Sequence, residues 1–198
     1  MTIQSDKIIN RAVPTPRDKG DKATAPKNEN DNGSSLKLEL GGKNPVFLKG
    51  DWQHLDIQHF PHTEYTTDSF ASIPFDDNSV EEIFAKRIIQ KLSKKDAIQA
   101  LQEWLRALAP TGSIKIISID IKKVMGKYLQ TFEEKYLDLL FGIQTDKTEF
   151  YLFGYSPDTL KKMMIDAGFV NVRESTPSVD YFDPQIEFIL EADKPKKK

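Results

Sequence analysis

Residues 113–119 read SIKIISI, and this run limits the fold more than any other stretch. β-Branched side chains favour the pleated backbone. A nearly continuous apolar run is the mark of a strand covered on both faces, which is the condition of strands in a parallel sheet. The run is far shorter than the roughly 20 residues that span a bilayer.

The neighbouring segments agree with that placement. LKLEL, residues 36–40, alternates as a strand does. WQHLDI at 52–57, TEYTT at 63–67, a segment starting near Val80, FVNVRE at 169–174 and IEFILEA at 186–192 are further strand candidates. A helix is expected after Ser93, which stands three residues before Asp96 in a capping-box-like start. Ile98, Leu101, Leu105 and Leu108 follow at helical spacing with Trp104 beside them, and Pro110 and Gly112 end the helix. A second helix is expected from the Ser156 cap and Pro157 to Gly168. Strands alternating with helices predict an α/β fold, a mainly parallel sheet with helices on its faces. Such sheets take ligands at the carboxyl ends of their strands. Gly41, Gly42, Asp56, Asp68 and the segment after Ala85 are therefore the places to look for a site.

The first 35 residues lack aromatic side chains and any sustained apolar period. They bury too little apolar surface to offset the entropy of ordering, so a disordered arm is expected over 1–35, with Ile8 and Ile9 as a minor docking point. The domain is expected over 36–192 and a basic tail over 193–198. A net charge of −2 gives no argument for a nucleic-acid partner. The absence of cysteine excludes disulfides and thiolate chemistry. No signal-peptide core and no run of membrane-spanning length are seen, so a cytoplasmic protein without membrane insertion is expected. Asp76 and Asp77 form an acidic turn, and no His or Cys cluster accompanies them, so no metal site is expected.

Five segments in order resemble a family. LELGGKNP is similar to the glycine-rich first motif, commonly LxLGCGxxP, of the class I S-adenosylmethionine-dependent methyltransferases, in their type-11-like branch. GDWQHLDI resembles the second-strand segment of that branch. DSFASIPFDDNSVEEIFA resembles its D-x-x-x-LPF-x-D-x-SxDxI stretch. ALQEWLRALAPTGSIKIISIDI resembles its xxEWxRVLKPGGxLxIxxPDL helix, turn and strand. FGIQTDKTEFYLFGYSPDTLKKMMIDAGFVNV resembles its distal segment. The resemblance covers about residues 36–173 and implies a Rossmann-like methyltransferase fold with helices on both faces of the sheet. It also implies S-adenosylmethionine as cofactor.

The resemblance assigns cofactor roles by position. Gly41 and Gly42 would let the backbone approach the methionyl part, since neither carries a Cβ. Asp56 would accept from the ribose hydroxyls, and a carboxylate at a strand end suits that role. Asp68 would accept from the adenine amino group while the Ser69 amide serves a ring nitrogen. Lys43 stands where the branch has a third glycine. There it would crowd the cofactor and add a positive charge beside the sulfonium and ammonium groups, unless its side chain turns away. Gln90 and Lys91 replace a Glu and a His, and Tyr151 replaces another His. The catalytic base is thus unassigned, with His59, His62, Glu149 and Tyr151 as weak candidates.

Two readings follow. One is a methyltransferase acting on a small molecule or glycan. The other is a methyltransferase-like partner or scaffold protein without catalysis, whose hold on the cofactor is weakened or lost. A module for another nucleotide ranks behind both, because the glycines lack P-loop spacing.

Overall fold

The computed structural model describes residues 36–41, 43, 45–46 and 48–196. The arm over 1–35, Gly42 and the last two lysines of the tail lie outside the described residues.

Seven strands form one sheet: β1 (Leu36–Leu40), β2 (Trp52–Asp56), β3 (Tyr65–Thr66), β4 (Val80–Lys86), β5 (Leu108–Ile119), β6 (Val170–Ser175) and β7 (Glu187–Asp193). Their spatial order is β3-β2-β1-β4-β5-β7-β6. The pairs from β3 through β5 are parallel, while β7 runs antiparallel to both β5 and β6. The isoleucine run lies in β5, between β4 and β7. Ile114, Ile116, Ile117 and Ile119 are all buried there.

Among the described residues, four α-helices accompany the sheet: α1 (Lys94–Ala107), α2 (Ile121–Thr131), α3 (Lys135–Phe141) and α4 (Pro157–Ala167). Ser93 caps α1 by accepting from the Asp96 amide, and Ser156 and Thr159 form a capping box on α4. Gly168, at φ +108°, ends α4 in the left-handed conformation that glycine adopts without strain. α1 buries Ala97, Ala100, Leu101, Trp104 and Ala107. Leu105 is half-buried and Ile98 is exposed, so the buried stripe is rotated away from the one the leucine spacing suggested. Trp104 donates its indole N–H to the Phe70 carbonyl at 2.9 Å, tying the β3–β4 connection under the helix.

Helices are unevenly shared between the faces. α1, α4 and the β3–β4 connection build the main core with Leu38, Leu40, Leu55, Ile83, Ile114 and Ile116. The smaller cluster centres on Phe84, Ile117, Phe182 and Ile189, with Val46, Leu48, Trp52, Val179 and Tyr181 packed around it. It draws no residue from a helix. The reason is local: among the described residues, the connections at 41–51 and 57–64 contain no helix. No described helix is long and apolar enough to cross a membrane.

Candidate functional site

The carboxyl ends of β1, β2 and β4 meet around a cavity of about 230 Å³. Gly41 ends β1 at φ +107°, and its amide donates to the Leu55 carbonyl at 2.8 Å. A side chain there would be strained, and its Cβ would come within 3.0 Å of Ile88 Cδ1. The turn and the 3₁₀ segment after β4 are therefore packed as closely as a glycine permits.

Asp56 ends β2 and is buried. Its carboxylate accepts from the amides of Ile57 at 2.6 Å, Gln58 at 3.3 Å and Lys43 at 3.3 Å. It thus holds the turn after β1 to the end of β2. His54, also buried, lies 3.3 Å from Glu39 and 3.2 Å from Glu64 and joins β1, β2 and the following loop. That is a structural position. Burial pushes the Glu39 carboxyl up, against the opposing pull of the Val46 amide and His54.

A second cavity of about 230 Å³ contains Asp68, Ser69, Ile57 and Phe70. Asp68 is exposed, whereas Ser69 is half-buried and its hydroxyl accepts from the Ala71 amide at 3.1 Å. The expected site residues therefore divide into two groups: Gly41 and Asp56 share the first cavity, Asp68 and Ser69 the second. Lys91 lines both cavities and stands between the groups.

The segment at 142–154 closes over the first cavity. Lys43 reaches it, pairing with Asp146 at 2.9 Å and with Glu149. Its charge is thereby met by protein carboxylates. The Glu149 carboxyl is held low by Lys43 and Thr145, and that of Asp146 by Thr148 and Lys43. Glu149 and Tyr151 both line this cavity, while His59 and His62 line neither. Burial pushes the Tyr151 hydroxyl up.

Gln90 is a buried bracket. Its side-chain carbonyl accepts from Ser118 Oγ at 2.8 Å and from the Ile119 amide at 3.0 Å. Its backbone carbonyl accepts from Leu152 at 2.8 Å. Lys86, Arg87 and Lys91 complete the basic side of the cavity; they fall in the segment after Ala85 to which the sequence pointed, without a role for any of these three side chains. The signal was its place just past a strand; the composition of KRIIQK by itself does not distinguish a cavity wall from a solvated turn.

No protein-family model matches the chain. A "Ubiquinone/menaquinone biosynthesis C-methyltransferase UbiE" of Rickettsia bellii is 29% identical over 162 residues, which are 74% of this chain and 62% of that protein. The protein of the same name from Pseudomonas syringae pv. tomato is 25% identical over 150 residues, 71% of this chain and 58% of its own length. The chain spans about three-fifths of the length of these curated relatives. A solved structure from Thermotoga maritima, described as a SAM-dependent methyltransferase and possible histamine N-methyltransferase, superposes with a TM-score of 0.57 at 16% identity. It covers 81% of this chain and 83% of the other. Strand order, antiparallel β7 and this superposition agree. The chain has the class I methyltransferase fold. Within that fold, the two cavities lie along the carboxyl edge of the parallel strands, where doubly wound sheets take their ligands. The methyltransferase fold is kept here with short connections after β1 and β2.

Proposed function

We propose that this protein binds S-adenosylmethionine along its carboxyl edge and methylates a small molecule or glycan. The observation that carries the reading is the pairing of Gly41, at φ +107°, with the buried Asp56 carboxylate in one cavity. Gly41 gives close backbone approach and Asp56 gives a carboxylate at a strand end, the acceptor that ribose hydroxyls need. Asp68 and Ser69, past Lys91, would take the adenine. The cofactor supplies an electrophilic methyl group on a sulfonium. The protein's part is alignment and exclusion of water, for which the 142–154 segment is placed. The names of the curated relatives specify C-methylation in quinone biosynthesis, which supports a small-molecule acceptor.

A second reading, a partner or scaffold protein without catalysis, is favoured by one specific observation. Glu149, a candidate base in the cavity, is already paired with Lys43, and Tyr151 is made less acidic by burial. Neither is poised to take a proton.

Calorimetric titration with S-adenosylmethionine and S-adenosylhomocysteine separates the two. Submillimolar binding is expected. Asp56→Ala should weaken it about tenfold, through lost acceptors. Lys43→Gly should change it by less than about threefold, because the Lys43 charge is met by Asp146 and Glu149 and partly exposed pairs contribute little. Absence of binding at millimolar concentration, with the fold intact, would leave the scaffold reading.

A further inference from the structure

The cavity beside Gly41 has an uneven electrostatic account. Each of its carboxylates already accepts at least one hydrogen bond from the protein. Glu39 accepts from the Val46 amide at 2.7 Å, Asp56 from three backbone amides, and Glu149 from Lys43 and from Thr145 Oγ1 at 2.5 Å. Its cations are met unevenly. Lys43 is paired with Asp146 and Glu149, and Arg87 Nε donates to Glu187 at 2.6 Å. Lys86 donates to the Tyr181 carbonyl and has no ion-paired carboxylate among the described residues. Lys91 is half-buried, lines both cavities, and its ammonium has neither a hydrogen bond nor an ion pair among the described residues.

A desolvated ammonium without a direct ion pair is unfavourable, and burial lowers the proton affinity of both Lys91 and Lys86, outweighing the attraction of Asp56, Glu149 and Asp146 on Lys91 and of Glu187 and Glu39 on Lys86. A group placed so gains free energy when a ligand brings an anionic oxygen within hydrogen-bond reach. We propose that Lys91, supported by Lys86, anchors an anionic group, a carboxylate or phosphate, on the acceptor that occupies the cavity beside the cofactor. The inference rests on the methyltransferase reading for the word acceptor, and on the cavity alone for the anion. Acceptors bearing a carboxylate or phosphate are then selected over neutral ones of the same shape.

The test uses inorganic phosphate and succinate as probes at constant ionic strength. Each is titrated into the full chain, free and saturated with S-adenosylhomocysteine, and followed by backbone amide NMR. Saturable shifts centred on Lys91 and Tyr151, persisting with S-adenosylhomocysteine bound, are expected. Lys91→Gln should weaken the binding about tenfold or more, while Lys162→Gln, which removes a surface charge on α4, should leave it unchanged. Loss of probe binding on saturation would mean that the cofactor's own carboxylate uses Lys91, and this would overturn an acceptor role. Equal binding by wild type and Lys91→Gln, or shifts spread over surface lysines, would overturn the anion site itself. If S-adenosylhomocysteine does not bind, the methyltransferase reading falls, while saturable binding at Lys91 still supports the anion site.

Discussion

Gln90 shows how one side chain can hold a site together without touching a ligand. Replacing it with leucine keeps most of the volume but strips acceptors from the Ser118 hydroxyl and the Ile119 amide, both in the interior. Each buried donor left alone costs about 1–3 kcal/mol, so Gln90→Leu should lose about 2–4 kcal/mol in urea unfolding. A loss below about 0.5 kcal/mol would show that water replaces the acceptor. Tyr155 is the opposite case. It is fully buried, and its hydroxyl has no partner among the described residues. Tyr155→Phe should stabilise the protein by about 1 kcal/mol, because a desolvated hydroxyl is removed. Burial also pushes the Tyr155 hydroxyl up to about 12, from an ordinary value near 10. The neutral form is favoured in the folded state. Its contribution is therefore complete below about pH 10 and is lost as pH rises towards 12. Wild type should lose stability more steeply than Tyr155→Phe across that window. Parallel alkaline unfolding curves for the two proteins would refute the assignment.

At the scale of elements, α1 gives a graded test of its buried stripe. Leu101 is fully buried against the sheet, whereas Leu105 is half-buried beside Gly168. Leu101→Ala should cost about 3–5 kcal/mol and Leu105→Ala about 1–2 kcal/mol. Equal costs in chemical unfolding would mean that the helix is rotated from the orientation described here. Helix α4 was legible because its cap and its stop at Gly168 agree, and α1 because of its Ser93 cap and helical spacing, although its stripe is rotated and Pro110 and Gly112, expected to end it, lie in β5. Helices α2 and α3 were not, because their apolar residues do not form a buried stripe. α2 buries only Val124 and leaves Leu129 exposed, and α3 buries none of its residues. Hydrophobic periodicity reports burial against a core, so a helix that buries little leaves little of that signal.

At the scale of the molecule, the sheet with α1 and α4 carries the core, and 1–35 contributes no sustained apolar pattern. Deleting residues 1–33 should shift the melting temperature by less than about 4 °C, the change expected for roughly 1 kcal/mol in a domain of this size. A larger fall would show that the arm carries part of the fold.

The amino-acid sequence by itself determined the strands, the two capped helices and the class of fold, because alternation, caps and stop residues are local properties that neighbouring residues impose on one another. It also pointed to the strand ends that carry Gly41, Asp56, Asp68 and Ser69, since in a parallel α/β sheet the carboxyl ends are where connections gather. Tertiary structure alone decided which of these share a cavity, that Lys43 turns to Asp146 and Glu149, and that Lys91 stands between two cavities without a direct ion pair among the described residues. Those facts depend on chain segments far apart in sequence, Lys43 and Glu149 among them, and on how much water each charge retains after folding. Desolvation is a property of the packed molecule and is not carried by a residue's identity or spacing.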